Sequence, residues 1–138
     1  MTKQSVKDTQ AMLSGMTPVL VAGEFVFCVT SDEDVARLAG PDALAWFREQ
    51  EGISLILSRG RAAELGFNCD APMRRIVLEV FSSLEGVGLT AAVASALAAR
   101  SIPCNMVAAY HHDHVFVPVA MADLALEILL KLQETSSA

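Results

Sequence analysis

Positive charge is scarce in this chain. Ten lysines and arginines stand against sixteen aspartates and glutamates, for a net charge of -6 and an isoelectric point near 4.9. The resulting field repels phosphodiester backbones and anionic headgroups, so neither nucleic acid nor a membrane surface is an expected partner. The pair Arg74-Arg75 is too small a basic patch to change that. Cysteine is equally sparse. Cys28, Cys69 and Cys104 are odd in number, lack metal-ligand spacing and have no basic neighbour that would obviously produce a reactive thiolate. Cys28 and Cys104 lie in apolar, strand-like runs where free cysteine acts as a small hydrophobe, and a reducing, cytoplasmic setting is expected. No apolar run reaches the roughly 20 residues that span a bilayer. Met1 to Gln10 lacks the apolar stretch of a signal peptide, so a soluble protein is expected. Nor does any motif set a nucleophile, a general base and an orienting group together, which points to binding rather than chemistry.

What is present is apolar material: 53% of the 138 residues are hydrophobic and the mean hydropathy is +0.43, ample for one ordinary domain or two small ones sharing a core. The first sixteen residues show no stable period and are expected to be a tail. Val19 to Val21 and Phe25 to Val29 are β-rich, and Ala22-Gly23-Glu24 between them suits either a hairpin or one bent strand. Ser31-Asp32-Glu33 offers capping residues, and Pro41 followed by Ala43, Leu44, Trp46 and Phe47 predicts a helix ended by Gly52. Ile53 to Leu57 predicts a strand and Arg61 to Leu65 a short helix closed by Gly66. The pattern breaks at Asn68-Cys69-Asp70-Ala71-Pro72, where a domain seam is expected.

Beyond the seam the order is cleaner. Arg75 to Phe81 alternates as a half-buried strand, Leu89, Val93 and Leu97 mark an alanine-rich helix stopped by Pro103, and Cys104 to Tyr110 and Val115 to Val119 predict two strands joined at His111-His112-Asp113-His114. Leu124, Ile128 and Leu132 give the inward stripe of a last helix, with fraying expected from Thr135. This β-α-β-β-α order lacks one strand of the ferredoxin-like β-α-β-β-α-β pattern, and the first half has strands to lend. Between the first strand and the helix, Glu85-Gly86-Val87-Gly88 forms a turn whose N–H groups, with those at Leu89, can meet an anion, although glycines also serve purely structural turns there. Glu85 is either a solvated loop carboxylate or a partner for a ligand's ammonium.

The run Val80-Phe81-Ser82-Ser83-Leu84-Glu85-Gly86-Val87-Gly88-Leu89-Thr90, followed by the Asn105 strand and the Asp113 hairpin, resembles the ACT domain. From about Pro18 to Leu132, with Gly23-Glu24-Phe25-Val26-Phe27 and Gly52-Ile53-Ser54-Leu55-Ile56-Leu57, the chain resembles small bacterial tandem-ACT proteins related to the CASTOR amino-acid sensors. The resemblance implies an α+β, ferredoxin-like fold with mainly antiparallel sheets. After the tail over 1–16, it also implies a degenerate ACT-like half over 17–70 and a second ACT-like domain over 71–138. It further implies a non-catalytic regulatory module, acting as a homodimer and holding a small ligand, usually an amino acid, where ACT units meet. Carried onto this sequence, Leu84, Glu85, Gly86, Val87 and Gly88 form the ligand-facing turn, Asn105 lies on the adjacent strand and Asp113 is the acidic position near the second hairpin; Leu89 adds its N–H. No cofactor is implied, and the output must pass through an effector protein or self-association.

Other readings compete. The His111 to His114 tip has metal-binding composition, but successive strand residues face opposite ways and no distant ligand completes a set. A ligand-free assembly module is the main alternative. An enzyme pairing Asp113 with His112 or His114 ranks last, because a hairpin tip is poorly shielded from water. For the turn, valine at Gly86 or Gly88 is expected to abolish binding and leave the fold largely intact.

Overall fold

Fourteen residues rich in β-branched and aromatic side chains make a single strand, β1 (Thr17–Thr30), and Ala22-Gly23-Glu24 lies inside it. The computed structural model describes residues 9–79 and 88–137. It divides into two compact units: residues 23–73, and the residues up to Ala22 together with those from Arg74 onward. The boundary therefore falls within β1 and again between Met73 and Arg74.

In the 23–73 unit, α2 (Glu33–Ala39) starts immediately after β1 because the Asp32 side chain accepts from the N–H groups of Asp34 at 2.9 Å and Val35 at 3.2 Å. A 3-10 turn at Gly40–Asp42 follows. The helix expected across Pro41 to Phe47 does not form: Ala45–Glu49 is a strand, β2, joined by the two-residue turn Gln50-Glu51 to β3 (Gly52–Ser58). Pairing wins over the local spacing of Leu44, Trp46 and Phe47, since β2 lies antiparallel to β3 with Trp46 opposite Leu55 and Arg48 opposite Ile53. Gly52 is demanded at the hairpin's end, where a Cβ would come within 2.6 Å of the Thr30 carbonyl oxygen. The strand order is β2-β3-β1, with Val26 opposite Leu57 and Cys28 opposite Leu55. These four share a face and form a small core with Ala39 of α2 and Ala62 of α3 (Arg59–Glu64). Arg59 pairs with Glu24 at 2.7 Å and Arg61 with Asp42 at 2.9 Å, surface pairs whose attraction solvent screens.

The other unit follows the expected order: β4 (Met73–Glu79), α4 (Leu89–Ala98), β5 (Asn105–Ala108), β6 (Asp113–Pro118) and α5 (Ala122–Ser137). Its strands run β1-β4-β6-β5, so β1 fills the edge that a β-α-β-β-α order leaves open. Ile76, Leu78, Val115 and Val117 turn one sheet face towards Leu89, Val93 and Leu97 of α4 and Ala125 and Leu129 of α5. Part of the segment expected as a tail, from Thr9 on, also belongs here. Thr9–Ser14 is a helix, α1, against α4 and α5, with Met12, Leu13 and Met16 buried in this core and the Gln133 side chain donating to the Ser14 carbonyl at 2.9 Å. Nor does α5 end at Thr135, whose hydroxyl bonds back to the Lys131 and Leu132 carbonyls, both at 3.1 Å.

Candidate functional site

Of the residues expected at a ligand site, Leu84, Glu85, Gly86 and Val87 lie outside the described residues. Gly88 and Leu89 open α4. Gly88 occupies the N-cap position with φ 102° and ψ -22°, and its carbonyl accepts the first helical bond from Ala92 N–H at 2.9 Å. Its left-handed backbone favours glycine, and space does too, since a Cβ would collide with the Thr9 hydroxyl oxygen of α1. Valine at Gly88 therefore strains the fold directly, contrary to the expectation above. Leu89 turns its side chain into the core, 4% exposed, so only its backbone can serve a ligand.

Asn105 and Asp113 stand on one hairpin but at opposite ends of it. Asn105 starts β5 opposite Phe116, whereas Asp113 starts β6 opposite Ala108. Three residues of strand separate the two positions, about 10 Å at strand rise. A small ligand in one copy can meet one of them, not both. Asn105 is exposed and Asp113 half-buried. The hairpin tip is closed by Ala109 N–H donating to the His112 carbonyl at 3.1 Å, and Tyr110 meets His111 edge-on with ring centroids 5.0 Å apart. Among the described residues no three His, Cys, Asp or Glu side chains gather as a metal site would.

The electrostatics concentrate at the Asp113 end. Burial pushes the Asp113 carboxyl up from its ordinary range, against the opposing pull of His114 and His112. Burial pushes His114 down, helped by the Arg75 guanidinium, whose Nη1 lies 3.5 Å from His114 Nδ1, and by His112, while Asp113 pulls the other way. Desolvation lowers Arg75 as well. The neighbouring Arg74 reaches across to β1 and donates to the Val21 carbonyl at 3.1 Å. Asp113, His114 and Arg75 thus form a half-buried titratable cluster at this end of the hairpin.

Thr9 is the residue that reading the sequence missed. It sits beside the glycine that opens α4, and the only local signal was a polar residue ahead of Met12 and Leu13, too weak to mark a helix.

Two family models described as ACT domain match the chain, one over residues 4–74 and the other over 72–131. Among curated proteins none is significantly similar. A crystal structure from Vibrio cholerae, described as a protein of unknown function and possible transport protein, is 37% identical over 90% of this chain and 94% of its own, with a TM-score of 0.80. The ligand-free regulatory subunit of aspartate kinase from Thermus thermophilus has the same fold at 9% identity, over 86% of this chain and 97% of its own, with a TM-score of 0.62. Aspartate kinase of Clostridium acetobutylicum, described as an allosteric enzyme, aligns over 88% of this chain and 34% of its own at 10% identity and a TM-score of 0.63.

Proposed function

Because the chain belongs to the ACT-domain family and carries two of its domains in tandem, we propose that it is a non-catalytic regulatory module that binds a small ligand, an amino acid, where ACT units meet. The observation that carries this reading is the tandem match itself. The likeness to the regulatory subunit of aspartate kinase supports it, since that protein is described as regulatory and its chain is matched over 97% of its length. In this reading the protein is a cytoplasmic homodimer of the CASTOR-related sensor type, it passes its signal to an effector protein, and ligand occupancy favours one arrangement over another.

The ligand's carboxylate rests on the N–H groups of the Gly86 to Leu89 turn. Leu84, Glu85 and Val87 shape the approach, and either Asn105 or Asp113 meets the amine or side chain. One zwitterion satisfies both halves of such a site, because a helix start attracts an anion and nearby carboxylates attract an ammonium. A thermal-shift screen against the amino acids tests the reading. A ligand at about 100 times its Kd adds roughly 2.7 kcal/mol of stability, and a flat screen sinks it.

The second reading, a ligand-free assembly module, draws on the 23–73 unit. On the sheet face away from its core, Phe47, Phe27 and Val29 are 71%, 45% and 58% exposed. Such a patch suits a protein surface better than water. A flat amino-acid screen together with stable self-association favours this alternative.

A further inference from the structure

A cleft of about 440 Å³ opens in the 23–73 unit between α2 and the edge of its sheet. Its helix wall is Glu33, Ala36, Arg37 and Gly40, spaced i, i+3, i+4, i+7 and so forming one stripe. Its sheet wall is Trp46 and Arg48 of β2 with Leu55 and Ile53 of β3, which pair in register and share a face. The cleft exists because α2 has only seven residues, about 10 Å of helix, and presents alanine and glycine where a larger side chain would close the gap. Trp46, 55% exposed, is left standing at the edge.

The charges in the cleft are arranged by the register. Glu33 follows Thr30 by three residues, Thr30 pairs with Ile53, and Ile53 pairs with Arg48, so Glu33 and Arg48 mark the same end. The Trp46 and Leu55 row lies two residues further along, towards Gly40. Arg37 is already engaged by Asp34 at 2.9 Å. Arg48 makes no ion pair among the described residues, and its guanidinium carbon stands 5.8 Å from the Trp46 ring centroid. An acceptor and a donor of opposite charge at one end, with indole, leucine and alanine beyond, match a molecule that carries both charges on one end of an apolar body.

We propose that this cleft is a binding site for a small zwitterion with an apolar body, its carboxylate on Arg48, its ammonium towards Glu33 and its apolar part against Trp46, Leu55 and Ala36. The guanidinium fork suits a carboxylate, and the indole face suits a flat or branched apolar group. The site is separate from the α4 turn and does not depend on it.

Trp46 is the chain's only tryptophan, so its emission reports the cleft alone. Titration with L-phenylalanine is expected to give a saturable blue shift. The probes 3-phenylpropionate and phenethylamine, each with one of the two charges, are expected to bind about ten-fold more weakly or worse. Arg48→Gln and the cleft-filling Ala36→Leu are expected to lose the response with circular dichroism and melting unchanged, while Gly86→Val keeps it. The proposal is overturned if L-phenylalanine gives no saturable change, or if Arg48→Gln and Ala36→Leu respond as the parent does. A response that Gly86→Val abolishes and Arg48→Gln retains also overturns it and assigns the binding to the turn.

Discussion

Gly88→Ala is expected to destabilise the protein by about 1–3 kcal/mol, because the left-handed backbone and the Thr9 contact both oppose a side chain. Urea denaturation measures it. Thr9→Gly in the same chain should recover part of the loss, and an unchanged loss would mean that strain alone sets the cost. His114 governs a second effect at this scale. Its pKa is lowered by burial and by Arg75, so its contribution to stability is whole above the ordinary histidine value and is lost as pH falls through the folded one. Asp113 has the opposite sign: its carboxyl is raised, and its contribution is whole below the ordinary carboxylate range and lost as pH rises through the raised value. His114→Gln is thus expected to lessen the fall in melting temperature on acidification from about pH 7 to about pH 5, where histidine titrates. An equally steep fall would place the acid sensitivity on other groups.

Asp32→Ala is expected to cost about 1 kcal/mol, since two N–H groups at the start of α2 lose their acceptor. Equilibrium unfolding checks this, and because α2 forms one wall of the cleft, the same variant should weaken occupancy there. Elements with a strong period of their own were legible in the sequence: Ile53 to Leu57, the alternation through Ile76 and Leu78, and the stripe of α4; on α5 the expected Leu124, Ile128 and Leu132 only flank the core, and Ala122, Ala125 and Leu129 face it. Two were not. β2 follows a proline and holds Trp46 and Phe47, which serve a helix or a strand equally well, and only pairing with β3, settled by the Gln50-Glu51 turn, decides between them. α1 has six residues, too short to be stable alone, and forms because Met12 and Leu13 are buried in the core beside α4 and α5. Of the candidate site, only single residues can be compared. Gly88 stood out because a helix start prefers glycine or a cap, whereas Thr9 reaches it through a tertiary contact that no local pattern encodes. The separation of Asn105 from Asp113 follows from hairpin register, which the sequence did not specify to the residue.

At the scale of the whole molecule, a homodimer is expected by sedimentation at micromolar concentration, and Phe47→Glu should shift it towards monomer by placing a charge on the exposed face that Phe27 and Val29 share. A dimer unaffected by that change would use another surface. The division of the chain has a further consequence, one for the order of events during synthesis. Residues 23–73 are contiguous and can complete their unit as soon as they leave the ribosome, while the other unit needs segments from both sides of them. Met12, Leu13 and Met16 emerge first, yet their partners in α4, β6 and α5 are made last. At roughly 5–20 residues per second the wait is several seconds. Through that interval an apolar segment stands exposed on the nascent chain, a natural point of capture for a chaperone that binds short apolar stretches.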